Sequence, residues 1–281
     1  MKTDIIFLKL VDNSSMKKEA AIQDLRSYLS AIVEPGIICG LKTGTEIEDM
    51  GYDEILFMRQ ISRNIVPLTV KIGGPEARQD IRSCLKMGID CILAPMVESV
   101  YALNNFVSTV LEISEEEEYV LPELAMNLES ATAYRNLDDM IASRSFEQLS
   151  HVTIGRGDLS KSMHLSVDDE VVITITARAI RKLKNSGKKT SVGGGLLPQS
   201  AMMLAAAINS HKFNTRHVVV ANSKEYRKNP SMHVYKALQF ELELYAAMAD
   251  AFPERKEFYL KRSTVVRDRM GGLQLLTKKN I

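Results

Sequence analysis

The chain has 281 residues, 45% hydrophobic and 25% charged, with a formal net charge of +1. This balance gives no bulk attraction to nucleic acid or anionic lipid, and no apolar run reaches the roughly 20 residues of a membrane span. The opening Met1-Lys2-Thr3-Asp4 is too charged for a signal peptide, and the cysteines Cys39, Cys84 and Cys91 are odd in number and unevenly spaced. A cytoplasmic protein with reduced, buried thiols is expected.

In chain order, strand-like and helix-like segments alternate almost from end to end. Strands are expected at 5–10, 37–41, 68–72, 91–94, 124–128, 152–154, 190–192 and 217–221, as short apolar runs suited to parallel strands buried on both faces. Amphipathic helices are expected between them, at 16–32, 52–63, 76–87, 100–111, 131–142, 167–185 and 198–209. Pro75 and Pro198 suit helix starts, and Gly88 and Gly187 suit helix ends. The acidic run Glu115-Glu116-Glu117-Glu118 reads as a solvated loop.

Eight strands in this alternation predict an α/β fold, a single (β/α)8 TIM barrel over 1–230. A helical extension, 231–281, would pack on the barrel, cover its mouth or meet a neighbouring subunit. The rival, an open doubly wound sheet, would carry a glycine-rich phosphate loop after an early strand. Gly193-Gly194-Gly195 does not have that spacing.

Two carboxylates stand out. Glu129 closes the run Leu124–Leu128, and Asp158 follows the run His151-Val152-Thr153-Ile154-Gly155-Arg156-Gly157. One helix separates the two runs, so their strands should be neighbours in a parallel sheet. Acids at the same end of adjacent strands can share a divalent cation, at the barrel end where catalysis sits. The competing reading makes each acid a helix N-cap, a role glutamate fills poorly. The histidines His151, His164, His211, His217 and His233 show no metal-ligand spacing. His151 and His217 sit at expected strand beginnings, the face of a barrel that serves stability.

The runs Ala94-Pro95-Met96-Val97-Glu98-Ser99, Asn127-Leu128-Glu129-Ser130-Ala131 and Ile154-Gly155-Arg156-Gly157-Asp158-Leu159-Ser160 resemble the HpcH/HpaI aldolase and citrate lyase β-subunit family of phosphoenolpyruvate/pyruvate barrels. Three such motifs in register are fairly specific. The resemblance implies a class II aldolase or lyase. Glu129 and Asp158 would hold Mg²⁺ or Mn²⁺, and the metal would stabilise a pyruvate-type enolate as a Lewis acid. It also implies a small 2-oxoacid with an aldehyde or acyl partner, and a homo-oligomer.

Two departures from the family stand out. The third expected strand ends Val70-Lys71-Ile72-Gly73-Gly74, with Lys71 where better-known members carry a carboxylate-binding arginine. A lysine can pair with a carboxylate but offers no bidentate fork. The loop Lys42-Thr43-Gly44-Thr45-Glu46-Ile47-Glu48-Asp49 has no histidine to serve as general base. Lys42 or Glu46 is assigned that part, ahead of Glu48. Gly155, Arg156 and Gly157 are expected to contact substrate, with Arg156 meeting an anionic group. Asn222 and Ser223 would line the mouth by position alone. The alternatives are a Schiff-base aldolase using Lys42 or Lys71, a citrate-lyase-like acyl-thioester lyase, and a non-catalytic ligand-binding barrel.

Overall fold

The computed structural model describes residues 2–33 and 36–277. Eight strands close into a barrel: β1 (Ile38–Gly44), β2 (Leu68–Lys71), β3 (Cys91–Ala94), β4 (Glu123–Leu128), β5 (Leu149–Gly155), β6 (Lys189–Gly193), β7 (Lys212–Asn214) and β8 (Val218–Ala221). The helices are α1 (Lys2–Ile32), α2 (Tyr52–Ser62), α3 (Arg78–Met87), α4 (Val100–Glu116), α5 (Ala131–Arg135), α6 (Leu137–Ile141), α7 (Arg144–Glu147), α8 (Arg156–Ser162), α9 (Glu170–Asn185), α10 (Pro198–Ala207), α11 (Lys224–Lys228), α12 (Pro230–Ala251) and α13 (Lys256–Thr277). The expected eight-stranded α/β barrel is present.

Its assembly differs from the expectation at both ends of the repeat. The run 5–10 is part of α1 rather than a first strand. A short apolar run does not by itself distinguish strand from helix, and no glycine or proline separates it from the helical pattern that follows. The eighth strand comes instead from β7, a three-residue segment too short to stand out in the sequence. β1 to β7 are parallel, whereas β8 pairs antiparallel with both β7 and β1. The barrel therefore closes through a hairpin, and β8 runs from the mouth back to the floor. His217 consequently lies at the mouth, where its Nδ1 meets the Lys42 carbonyl at 2.9 Å, and not on the stability face. Asn222 and Ser223 fall at the floor for the same reason. The Asn222 amide donates to the His211 carbonyl, 2.8 Å.

Alternation along each strand creates two environments. Leu41, Leu68, Val70, Ile92, Met126, Val152, Ile154 and Val192 face outward and join the helices in one apolar core. The opposite parity faces inward and is largely polar: Lys42, Thr69, Lys71, Asn127, Thr153, Ser191 and Asn214. Inside the barrel the apolar cluster is only Cys91, Leu93 and Ala125 among the described residues. A barrel of this kind is ordinarily filled by branched side chains. Here the interior is divided into an upper and a lower cavity.

Smaller details follow the local chemistry. Gly88 and Gly187 adopt the left-handed conformation at helix ends, with φ of 63° and 78°. Pro198 opens α10, whereas Pro75 precedes α3 by a short turn. The segment expected as one helix over 131–142 is broken into α5 and α6. The acidic run begins inside α4 instead of forming a free loop. No described helix is long and apolar enough to cross a membrane, and the three cysteines are free thiols.

Candidate active site

The upper cavity, about 260 Å³, opens at the C-terminal ends of the parallel strands. Lys42 (β1), Lys71 (β2), Asn127 (β4), Glu129 just past it, Thr153 and Gly155 (β5), Gly157 and Asp158 (α8), and Asn214 (β7) line it. Six of the eight residues expected at the site thus share one cavity.

Glu129 stands just past the end of β4 and is 3% exposed. Its two oxygens are already positioned: Oε1 accepts from the Met96 amide at 2.9 Å, and Oε2 accepts from Asn127 Nδ2 at 2.8 Å. Helix capping falls to the next residue, Ser130, whose Oγ accepts from the Ala133 amide. The capping explanation of Glu129 therefore fails. Burial pushes its carboxyl above the ordinary range, and neighbouring Asp158 adds to the rise. Gly155 on β5 makes room for it: a Cβ there would lie 2.7 Å from Glu129 Oε2. Asp158 sits in the first turn of α8, with its side chain 42% exposed and 2.9 Å from Lys161 Nζ. It caps no helix.

The two lysines are driven in opposite directions. Lys71 is buried and ion-paired with Glu46, with Glu48 Oε2 at 4.0 Å. Burial opposes its charge, but Glu48 and Glu46 more than offset this and raise its pKa. Lys42 makes no side-chain hydrogen bond among the described residues, and burial lowers its pKa, with Lys71 and Arg216 adding to the effect. Lys42 is walled in by protein, while its remaining exposed surface faces the two cavities that it separates.

Glu48, rather than Glu46, is the acid of the β1–α2 loop that the fold turns inward. It is 4% exposed, lines the cavity, and has an Oε2 with no hydrogen-bond partner. Burial raises its carboxyl pKa, but Lys42 and Lys71 together hold it below the ordinary range. Glu46 is exposed and engages Lys71 from outside the cavity wall. Nothing local separates Glu46 from Glu48, because the turn after β1 determines which one points inward. Asn127 Oδ1 and Asn214 Oδ1 are also buried acceptors without a donor.

Arg156 is not brought to the cavity. It is fully buried and donates to the carbonyls of Gly194 and Val167 and to Asp168. This ties the loop after β6 to the start of α8. Gly194, at φ 85°, lies against Gly157: a Cβ would come 2.4 Å from the Gly157 nitrogen. Two other arginines line the cavity instead. Arg216 lies in the β7–β8 turn, and Arg269 reaches in from α13. Glu241 of α12 holds that turn by accepting from Thr215 Oγ1 and the His217 amide. α13 is fixed over the β1–α2 loop through Tyr259 to Glu54 and Arg262 to the Ile47 carbonyl. The hairpin and C-terminal helix lie far from the sequence motifs, so spacing gave no sign of either arginine.

The HpcH/HpaI aldolase/citrate lyase family model matches residues 48–197, more than half of the chain. The chain belongs to this family. Its match spans the elements carrying Glu48, Lys71, Glu129 and Asp158, and family membership is consistent with lyase activity. A family protein from Burkholderia cenocepacia J2315 has a similar fold, with a TM-score of 0.50 at 14% identity over 66% of this chain and 90% of that one. The HpcH/HpaI aldolase from Desulfitobacterium hafniense DCB-2 gives 0.52 at 15% identity, over 67% and 80%. At such identities the likeness concerns the fold. No curated protein matches the sequence.

Proposed function

We propose that this protein is a cytoplasmic, divalent-metal-dependent carbon–carbon lyase or aldolase acting on a small 2-oxoacid through a pyruvate-type enolate. The observation that carries this reading is Glu129. It is a buried carboxylate held by two hydrogen bonds, facing the same cavity as Asp158 and lifted in pKa partly by that second acid. A buried carboxylate with a second, more exposed one beside it is a hard oxygen set suited to Mg²⁺ or Mn²⁺. When bound, such a cation supplies Lewis-acid stabilisation of enolate charge.

The protein's own groups account for the rest. Lys71, kept charged by Glu46 and Glu48, pairs with the substrate carboxylate. Arg216 and Arg269 supply the forked donors that Lys71 lacks. A proton is moved at the methyl carbon by Lys42 or by a carboxylate of the β1–α2 loop. Glu48 is better placed there than Glu46, since it lines the cavity and its Oε2 has no hydrogen-bond partner. Gly157 leaves open space for substrate to approach the backbone, whereas the space beside Gly155 is taken by Glu129.

The test is exchange of pyruvate methyl protons into deuterated water, followed by NMR with Mg²⁺ or Mn²⁺. Exchange that disappears with EDTA and in Glu129→Ala supports the reading. EDTA-insensitive exchange, or exchange retained by the variant, sinks it.

The Lys42 environment favours a second reading, a Schiff-base aldolase. Its amine is free of hydrogen bonds and depressed in pKa, as a nucleophilic lysine requires. Attack on the keto carbon would expel water and leave an imine. Borohydride with pyruvate would then fix a mass adduct at Lys42, absent from Lys42→Met, and EDTA would leave activity intact.

A further inference from the structure

The lower cavity, about 190 Å³, lies at the N-terminal ends of the same strands. Three different ligating side chains converge there: Cys91 at the start of β3, Glu123 at the start of β4 and His151 on β5. One atom from each, a sulfur, a carboxylate oxygen and a ring nitrogen, lies within 4.8 Å of the other two. The sheet explains the convergence. Cys91 is in register with Glu123, and His151 is in register with Ala125, one pleat further along β4. All three therefore project inward from consecutive strands.

The imidazole is oriented by a neighbour. Ser150 Oγ donates to the Leu124 carbonyl at 3.1 Å and lies 3.0 Å from His151 Nδ1. With its one proton given to the carbonyl, the hydroxyl can only accept from Nδ1–H. This pairing favours the tautomer with its proton on Nδ1 and the Nε2 lone pair free, the usual arrangement behind a metal-binding histidine. Asp90 also lines the cavity but is occupied by Arg59 and the Leu68 amide. Glu123 is exposed, which provides a route in from solvent.

We propose that Cys91, Glu123 and His151 form a second metal site, in the floor of the barrel, for a borderline divalent cation such as Zn²⁺. Mixed sulfur, nitrogen and oxygen donors suit zinc rather than Mg²⁺, and three protein ligands leave a fourth position for water. Binding replaces the thiol proton, which goes to solvent, with a metal–sulfur bond. Lys189 and Lys212 also face this cavity. The thiolate and carboxylate together cancel the charge of the cation, so the loaded site is neutral towards both lysines. The bound metal would tie β3, β4 and β5 together below the strand ends that carry the Met96 amide, Glu129 and Gly155.

The experiment is a Co²⁺ titration of untagged, chelator-treated full-length protein, watching for thiolate-to-metal charge-transfer absorption. Wild type and Glu129→Gln should both show it, and Cys91→Ser should lose it. His151→Gln and Glu123→Gln should weaken binding by about 10-fold or more, the range typical of lost ligation or its support. Absence of the band in folded wild type, its survival in Cys91→Ser, or indifference to both other substitutions would overturn the proposal. X-ray absorption of the zinc-loaded wild type needs no variant. A sulfur scatterer together with nitrogen and oxygen supports the site, and a shell without sulfur refutes it.

Discussion

The two ends of this barrel use the same inward-facing strand positions to build opposite chemistries. Above, Glu129 and Asp158 offer hard oxygen among Lys42, Lys71, Arg216 and Arg269, beneath a C-terminal helix. Below, Cys91 and His151 add sulfur and nitrogen to the carboxylate of Glu123. Lys42, Thr153 and Asn214 line both cavities. Donor softness thus differs between the two ends of the barrel, because a period of two brings every second side chain of each strand to the axis. The upper end assembles groups from loops and distant helices, whereas the lower end needs only three neighbouring strands.

The sharpest way to break this contrast is at Glu129. Glu129→Ala should reduce metal-dependent pyruvate exchange by on the order of 10³-fold, comparable to losing a principal charge-stabilising group. The lower site should still bind Co²⁺. Loss of both functions together would mean the ends are not independent. Gly155→Ala should cost about 10²-fold in exchange, as expected for a displacement of roughly 1 Å at a reacting centre. The added Cβ would occupy the space of Glu129 Oε2. A crystal structure of that variant with Glu129 unmoved would contradict the explanation.

A smaller effect is expected from Arg269→Ala. Removing one charged donor from the cavity wall should raise KM for the oxoacid by about 10-fold and leave kcat nearly unchanged. A fall in kcat alone would place Arg269 in the chemistry instead.

The smallest effect concerns stability. Lys42 has a folded-state pKa below its ordinary value. Between that lowered value and about 10.4, its ordinary value, the unfolded chain binds the extra proton, so stability should rise with pH through this window. Lys42→Met should flatten the rise, and urea unfolding across alkaline pH would measure it. An unchanged slope would mean that burial does not penalise the Lys42 charge.

Local sequence was sufficient for much of the upper site. Glu129, Gly155 and Asp158 each sit at the end of an apolar run, so their common position followed from strand polarity alone. Lys71 was legible for the same reason. Arg156 was misleading because its neighbours suggest the mouth, while its side chain turns into the protein to bind Gly194 and Val167 carbonyls. The inward turn of Glu48 was hidden, since a loop has no fixed period. His217 was placed at the wrong end because an apolar run does not reveal strand direction.

What the sequence by itself determined was the alternation of elements, most of the strands, the family and the acid pair. These depend on hydrophobic period and short motifs, which act between residues close in the chain. Only the tertiary structure decided the antiparallel β8, the arginines from the hairpin and α13, and the meeting of Cys91, Glu123 and His151 across three strands. Those depend on barrel closure and strand register, which bring distant residues together by geometry that no local spacing encodes.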